Sequence, residues 1–104
     1  MAQYTNSSTQ LPPSVQVLLK YFVEVLNPKW VKLFGSRARG DFRENSDYDL
    51  AVNFDLHKRT DWLKLKSSLD DKPLTLLPVD LVDYNSVNED YKKNIDSEGI
   101  LIYG

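Results

Sequence analysis

At 104 residues with 41% apolar side chains, the chain has material for one modest hydrophobic core, and two domains are excluded. A formal net charge of -2 argues against a nucleic-acid coat protein or a generally basic membrane binder, so any attraction for an anionic substrate must be local and no direct nucleic-acid contact is expected. The absence of cysteine removes disulfides and thiolate metal sites. No apolar run approaches the roughly 20 residues of a membrane span, and the N-terminus lacks the pattern of a secretory signal, so a cytoplasmic address is the default.

In chain order, Met1 to Gln10 is polar and without periodicity, and residues 1–12 read as a flexible terminus ahead of a single domain over 13–104. Pro12-Pro13-Ser14 opens a helix whose Val15, Leu18, Leu19, Phe22 and Leu26 recur at three-and-four spacing, and Asn27-Pro28 stops it. Trp30 to Phe34 is an apolar strand that delivers Gly35 and Ser36 to the end of a sheet. Glycine permits a sharp turn and close approach of a ligand to the backbone, and Ser36 is placed to cap a helical turn over Arg37 to Asp41. Free N–H groups at such a turn attract phosphate. Arg37, Arg39 and Arg43 add positive charge, although Arg37 and Arg39 could equally pair with Asp41 or Glu44.

A second strand spans about Tyr48 to Phe54. Side chains alternate along a strand, so Asp47 and Asp49 share one face while Tyr48, Leu50, Val52 and Phe54 line the other. Two carboxylates so close repel each other unless a cation lies between them. Magnesium, which binds through one or two carboxylates together with substrate phosphates, suits an Asp-x-Asp strand beside a phosphate-binding turn. Asp47 and Asp49 are therefore the candidate metal ligands.

His57, the sole histidine, sits among Lys58, Arg59 and Asp61 and reads as solvated. A helix follows to Asp70 with Trp62, Leu65 and Leu69 at core spacing. Thr75 to Tyr84 forms a third strand in which Pro78 marks an edge or a late start to pairing. That strand carries Asp80 and Asp83, and either could be a site carboxylate or a solvated side chain. Ser86-Val87-Asn88-Glu89 has the form of a capping box for a helix with Val87, Tyr91 and Ile95 on one face, ended by Gly99. Ile100 to Tyr103 is a short last strand or a packed tail. The pattern as a whole is α/β, a short mixed sheet flanked by helices.

Gly35-Ser36, ten residues, then Asp47-Tyr48-Asp49 between apolar neighbours resembles the signature of the DNA polymerase beta-like nucleotidyltransferases. Gly-Ser-Arg-Ala-Arg-Gly at 35–40 and Ser-Asp-Tyr-Asp-Leu at 46–50 are most similar to the minimal nucleotidyltransferases. That resemblance implies a third carboxylate on a later strand, and its apolar flanks Val79 and Leu81 select Asp80 over Asp83. It implies Asp47, Asp49 and Asp80 as catalytic and metal residues holding two magnesium ions, with Gly35, Ser36, Arg37 and Arg39 binding ATP. The implied reaction is transfer of AMP to a hydroxyl. Minimal nucleotidyltransferases are commonly antitoxins paired with helical HEPN toxins, some adenylylating the toxin on tyrosine, which implies a hetero-oligomer. Larger relatives carry a further substrate domain for which 104 residues leave no space, so a partner is expected to complete the cleft. A binding module that neutralises its partner stoichiometrically and an aminoglycoside-type small-molecule transferase share the core motif and stand as alternatives.

Overall fold

The computed structural model describes residues 2–104. Eight elements follow the 3₁₀ turn at Asn6–Gln10: α1 (Pro13–Leu26), β1 (Trp30–Phe34), α2 (Ser36–Arg39), β2 (Tyr48–Asn53), α3 (Arg59–Asp71), β3 (Val79–Asp83), α4 (Glu89–Glu98) and β4 (Ile100–Tyr103). The strands form one sheet in the order β3-β2-β1-β4. β1 runs antiparallel to β2 and β4, whereas β2 and β3 are parallel, so the sheet is mixed as expected. The parallel pair needs a crossover, and α3 supplies it.

Alternation along the strands divides the sheet into two packed faces. Val31, Leu33, Leu50, Val52, Leu81 and Ile102 meet the apolar stripes of α1 and α3, with Leu19, Phe22 and Leu26 fully buried between them. Each such side chain contributes about 1.5–3 kcal/mol relative to an exposed one. On the opposite face Phe34 and Ala51 pack beneath Ile95 of α4, flanked by Trp30, Val82 and Tyr84. α1 ends where anticipated because Asn27 adopts the left-handed conformation (φ 46°) and its N–H bonds back to Val23 O.

Four local expectations give way to tertiary structure. β3 begins at Val79 rather than Thr75; proline at 78 has no N–H to donate, and Thr75 instead bonds through its hydroxyl to Ser14 Oγ (2.7 Å) and Leu77 N (3.1 Å). The cap of α4 is Asn88, whose side chain accepts from Tyr91 N (2.8 Å), because the Ser86 hydroxyl is drawn to Asp83 (2.6 Å). Gly99 ends α4 in an extended rather than left-handed conformation. Its lack of a side chain is required sterically, since a Cβ would strike Ile95 O and crowd Lys32.

The fourth correction concerns the terminus, of which Met1 lies outside the described residues. Instead of fraying, residues 3–8 cover the outer edge of β4. Thr5 N donates to Ile102 O (3.1 Å), Thr5 Oγ1 to Leu101 O (2.8 Å), and Gly104 N to Gln3 O (2.9 Å). Tyr4 packs edge-on against Tyr103, and Ser8 is buried. Backbone donors along a sheet edge are better paired with the chain itself than left for other chains. Thr5→Pro, which removes the N–H, is expected to cost about 1–3 kcal/mol in urea unfolding; an unchanged midpoint would show that this segment contributes nothing to the fold.

Candidate active site

The register of the sheet assembles the acidic centre. Phe34 on β1 lies opposite Asp49 on β2, and Asp49 lies beside Asp80 on β3, so the three form one row on the α4 face. Asp47 immediately precedes β2. The parallel ladder reaches that point, since Tyr48 N donates to Pro78 O (2.9 Å). The three carboxylates named from the sequence are thus brought to one corner of the sheet. Among the described residues none of them has an ion-pair or side-chain hydrogen-bond partner. Burial, followed by the charges of Asp80 and Asp47, raises the Asp49 carboxyl above its usual range, and the charge of Arg39 offsets this in part.

Gly35 sits directly against this group. Its φ of 74° is one that L side chains rarely adopt, and a Cβ built there would collide with the Asp49 carboxylate. Gly35, not Ser36, is the cap residue of the one-turn α2, and its carbonyl accepts from Ala38 N and Arg39 N at 3.1 and 3.0 Å. Ser36 is the first helical residue and its hydroxyl makes no capping bond. The N–H groups of Ser36 and Arg37 have no backbone acceptor among the described residues. A glycine-serine corner with free N–H donors therefore adjoins the carboxylate row, an arrangement suited to a phosphate chain.

The two arginines part company. Arg37 holds the 40–47 loop: its guanidinium donates to Glu44 O (2.9 Å) and Ser46 O (3.2 Å) and lies over the rings of Phe42 and Tyr48, 4.2 and 4.4 Å from their centroids. Tyr48 belongs to the α1 and α3 face, so the structure places the Arg37 head on the side of the sheet opposite Asp49. Arg37 fixes how the loop returns to Asp47. Arg39 pairs with Asp41 (3.2 Å), as one reading of the sequence allowed, and with Glu98 at the end of α4 (2.6 Å), a partner the sequence does not suggest. It remains near enough for its charge to act on Asp49.

Asp83 is occupied otherwise. Only 10% of its side chain is exposed, and it accepts from Arg59 (3.1 Å), Ser86 (2.6 Å) and Asn85 N (3.0 Å), closing the turn after β3. Strand alternation puts it on the face opposite Asp80. Tyr91 of α4 escapes a sequence reading because its spacing marks it only as one of a buried stripe. Its ring packs edge-on against Phe34 (5.9 Å), and its hydroxyl is raised by burial and then by the charges of Asp80 and Asp49. Beside β3 a cavity of about 440 Å³ opens between Leu18, Lys66, Leu69, Leu77 and Asp80.

Among the described residues no three His, Cys, Asp or Glu side chains are gathered as a ready-made metal cage. The donor chemistry nevertheless fits a hard divalent ion, which takes one or two carboxylates and completes its shell from substrate phosphates. Asp47, Asp49 and Asp80 are the side chains that would hold it.

Gly35→Ala is expected to lower stability by about 1–3 kcal/mol from the backbone conformation alone, more if Asp49 cannot move aside, and to weaken nucleotide binding; wild-type melting and binding would refute the close contact. For Asp49 the sign of the pH dependence is fixed. A carboxyl raised in the folded state makes folding proton-linked, so its stabilising contribution is present at acid pH and is lost as pH rises through the folded pKa. The Tm of Asp49→Asn should therefore gain on that of the wild type as pH rises from below the ordinary carboxylate range, then level off at neutral pH; a constant difference across that span would contradict it.

The chain matches the family model "Polymerase beta, Nucleotidyltransferase" over residues 16–104. It is 33% identical over 97 residues to a protein of Methanocaldococcus jannaschii named "Putative protein adenylyltransferase", covering 86% of this chain and 93% of that one. A solved structure described as a "putative minimal nucleotidyltransferase" superposes with a TM-score of 0.65 at 29% identity, covering 89% of this chain and 93% of the other. A toxin-antitoxin crystal structure with AMP-PNP matches with a TM-score of 0.55 at 25% identity over 86% of this chain and 72% of that chain. The glycine-serine corner, the carboxylate row and the mixed sheet agree with these likenesses: the chain belongs to the polymerase beta-like nucleotidyltransferase family.

Proposed function

We propose that the protein transfers AMP from ATP to a tyrosine hydroxyl on a HEPN-type helical toxin and so acts as its antitoxin in the cytoplasm. The observation that carries the transfer chemistry is the row of unpaired carboxylates, Asp47, Asp49 and Asp80, against the Gly35-Ser36 corner. Likeness to a toxin-antitoxin complex and to a protein adenylyltransferase supports the partner and the reaction. A protein acceptor is further supported by Leu74, Leu76 and Leu77, exposed on the loop that leads into Asp80, with Leu76 99% exposed. A small-molecule acceptor gives no reason for such apolar exposure beside the site.

In this reading Asp47, Asp49 and Asp80 would hold magnesium, which would supply charge neutralisation for the triphosphate and the leaving pyrophosphate. Asp80 accepts the proton of the attacking hydroxyl. The N–H groups of Ser36 and Arg37 and the Ser36 hydroxyl hold the terminal phosphates, and the collision-free surface of Gly35 lets them approach the backbone. Arg39, tied to Glu98, lends its field to the anion, while Arg37 keeps Asp47 in position through the loop it clamps. Most of the acceleration then arises from placement and charge neutralisation.

The test combines binding and transfer. ATP with magnesium should stabilise the folded protein by about 2.7 kcal/mol at a hundredfold excess over Kd, and ATP with chelator by much less. Mass measurement of the helical partner after incubation should show added AMP with wild type and none with Asp47→Asn, Asp49→Asn or Asp80→Asn, whose apo forms remain folded. Asp83→Asn should melt earlier, having lost hydrogen bonds to the 84–86 turn worth about 1–3 kcal/mol, yet still transfer. Full protection of cells by Asp47→Asn at matched expression would replace enzymatic neutralisation by stoichiometric binding.

A further inference from the structure

The chain has six tyrosines, and five have settled surroundings. Tyr21 packs against the main core, Tyr48 lies under Arg37, Tyr84 donates to Asp96 (2.9 Å), and Tyr4 and Tyr103 pack on one another. Tyr91, like Tyr4, is 39% exposed with no hydroxyl hydrogen bond among the described residues, but its ring is the one that packs on Phe34, the β1 neighbour of Asp49. The first turn of α4 is fixed by the Asn88 cap on Tyr91 N, and the ring is held edge-on against Phe34. Phe34 is the first member of the row Phe34, Asp49, Asp80, so α4 suspends this ring over the acidic corner. The ring thus lies on the face of the sheet that carries Asp49 and Asp80, the latter the carboxylate assigned to the acceptor.

An acceptor hydroxyl must stand beside Asp80 to lose its proton there. We propose that Tyr91 is such an acceptor within its own chain, so that the protein adenylylates itself on Tyr91. The inference rests on the transfer chemistry proposed above and extends it to a second substrate. In the step, Tyr91 Oη bonds to the α-phosphorus of ATP as the bond from that phosphorus to the pyrophosphate oxygen breaks. The leaving pyrophosphate takes the bonding electron pair, and the hydroxyl proton passes to Asp80 and on to water. Nothing is oxidised or reduced, and the product is a tyrosine phosphodiester of AMP. Because the reacting groups share one folded unit, the step is unimolecular once ATP is bound. A modified Tyr91 fills the acceptor position, so self-labelling also slows transfer to any other protein.

The test uses the full chain with ATP and magnesium and no partner, read by intact mass and by tandem mass spectrometry of the peptide containing Tyr91. One AMP per chain on Tyr91 is expected, with a fractional rate unchanged on tenfold dilution, and none in Tyr91→Phe or Asp80→Asn. Tyr91→Phe keeps the ring on Phe34, so it should fold and retain the Tm shift caused by ATP and magnesium. AMP on another residue, labelling that slows in proportion to dilution, or wild-type labelling of Tyr91→Phe overturns the proposal. Loss of both label and nucleotide-induced Tm shift in Tyr91→Phe also overturns it, making Tyr91 a binding residue. An unlabelled chain that still labels the helical partner sinks self-modification and leaves the transferase reading intact; an unlabelled chain with an unlabelled partner sinks both.

Discussion

The close approach of Gly35 to the Asp49 carboxylate is the constraint on which the remaining geometry depends. β1 and β2 are adjacent antiparallel strands, and their register sets Asp49 opposite Phe34, one residue before the turn. Any side chain at position 35 would occupy the space of that carboxylate, and its backbone would be strained at φ 74°. With glycine there, the acid and the turn can share one small volume. The free N–H groups of the turn and the carboxylates are then adjacent without a loop having to fold over them.

The distribution of paired and unpaired acids is the second organising feature. Asp55 is matched by Lys29, Asp41 and Glu98 by Arg39, and Asp83 by Arg59 and a turn of backbone. These pairs are at or near the surface, where each contributes little to stability. Among the described residues Asp47, Asp49 and Asp80 are left without such partners although Asp49 is partly withdrawn from water. Keeping like charges together in that way is unfavourable for the apo fold.

The sheet also explains why α4 matters to a site whose motif lies far from it in sequence. α4 covers the face on which the acids stand, and its two ends are both engaged with the site region: Tyr91 over Phe34 in the first turn, Glu98 on Arg39 in the last. The parallel β2 and β3 pair then aligns Asp49 with Asp80 across the crossover of residues 54–78. Position on the row, not proximity in the chain, brings these acids together.

Much of this was legible from residue order. The apolar stripes of α1 and α3, the strand at Trp30–Phe34 and the Asn27-Pro28 stop are local effects of periodicity and backbone chemistry, and they depend on neighbours within a few residues. The Gly-Ser turn and the Asp-x-Asp alternation also carry their geometry in themselves, and the fold sets Gly35 against Asp49 as that geometry implies. Other assignments needed partners that only folding brings near. Arg37 turned to Tyr48 and Phe42 instead of the phosphate corner, Ser86 was taken from its cap by Asp83, and residues 3–5 found an unpaired strand edge to close. Tyr91 joined the acids because α4 lies across their row. Sequence by itself determined which segments are helix or strand and which acids lie on one strand face, since both follow from short-range repeats; the tertiary structure alone decided which partners Asp83 takes and which arginine stays near Asp49, because electrostatic partners are set by distance in space.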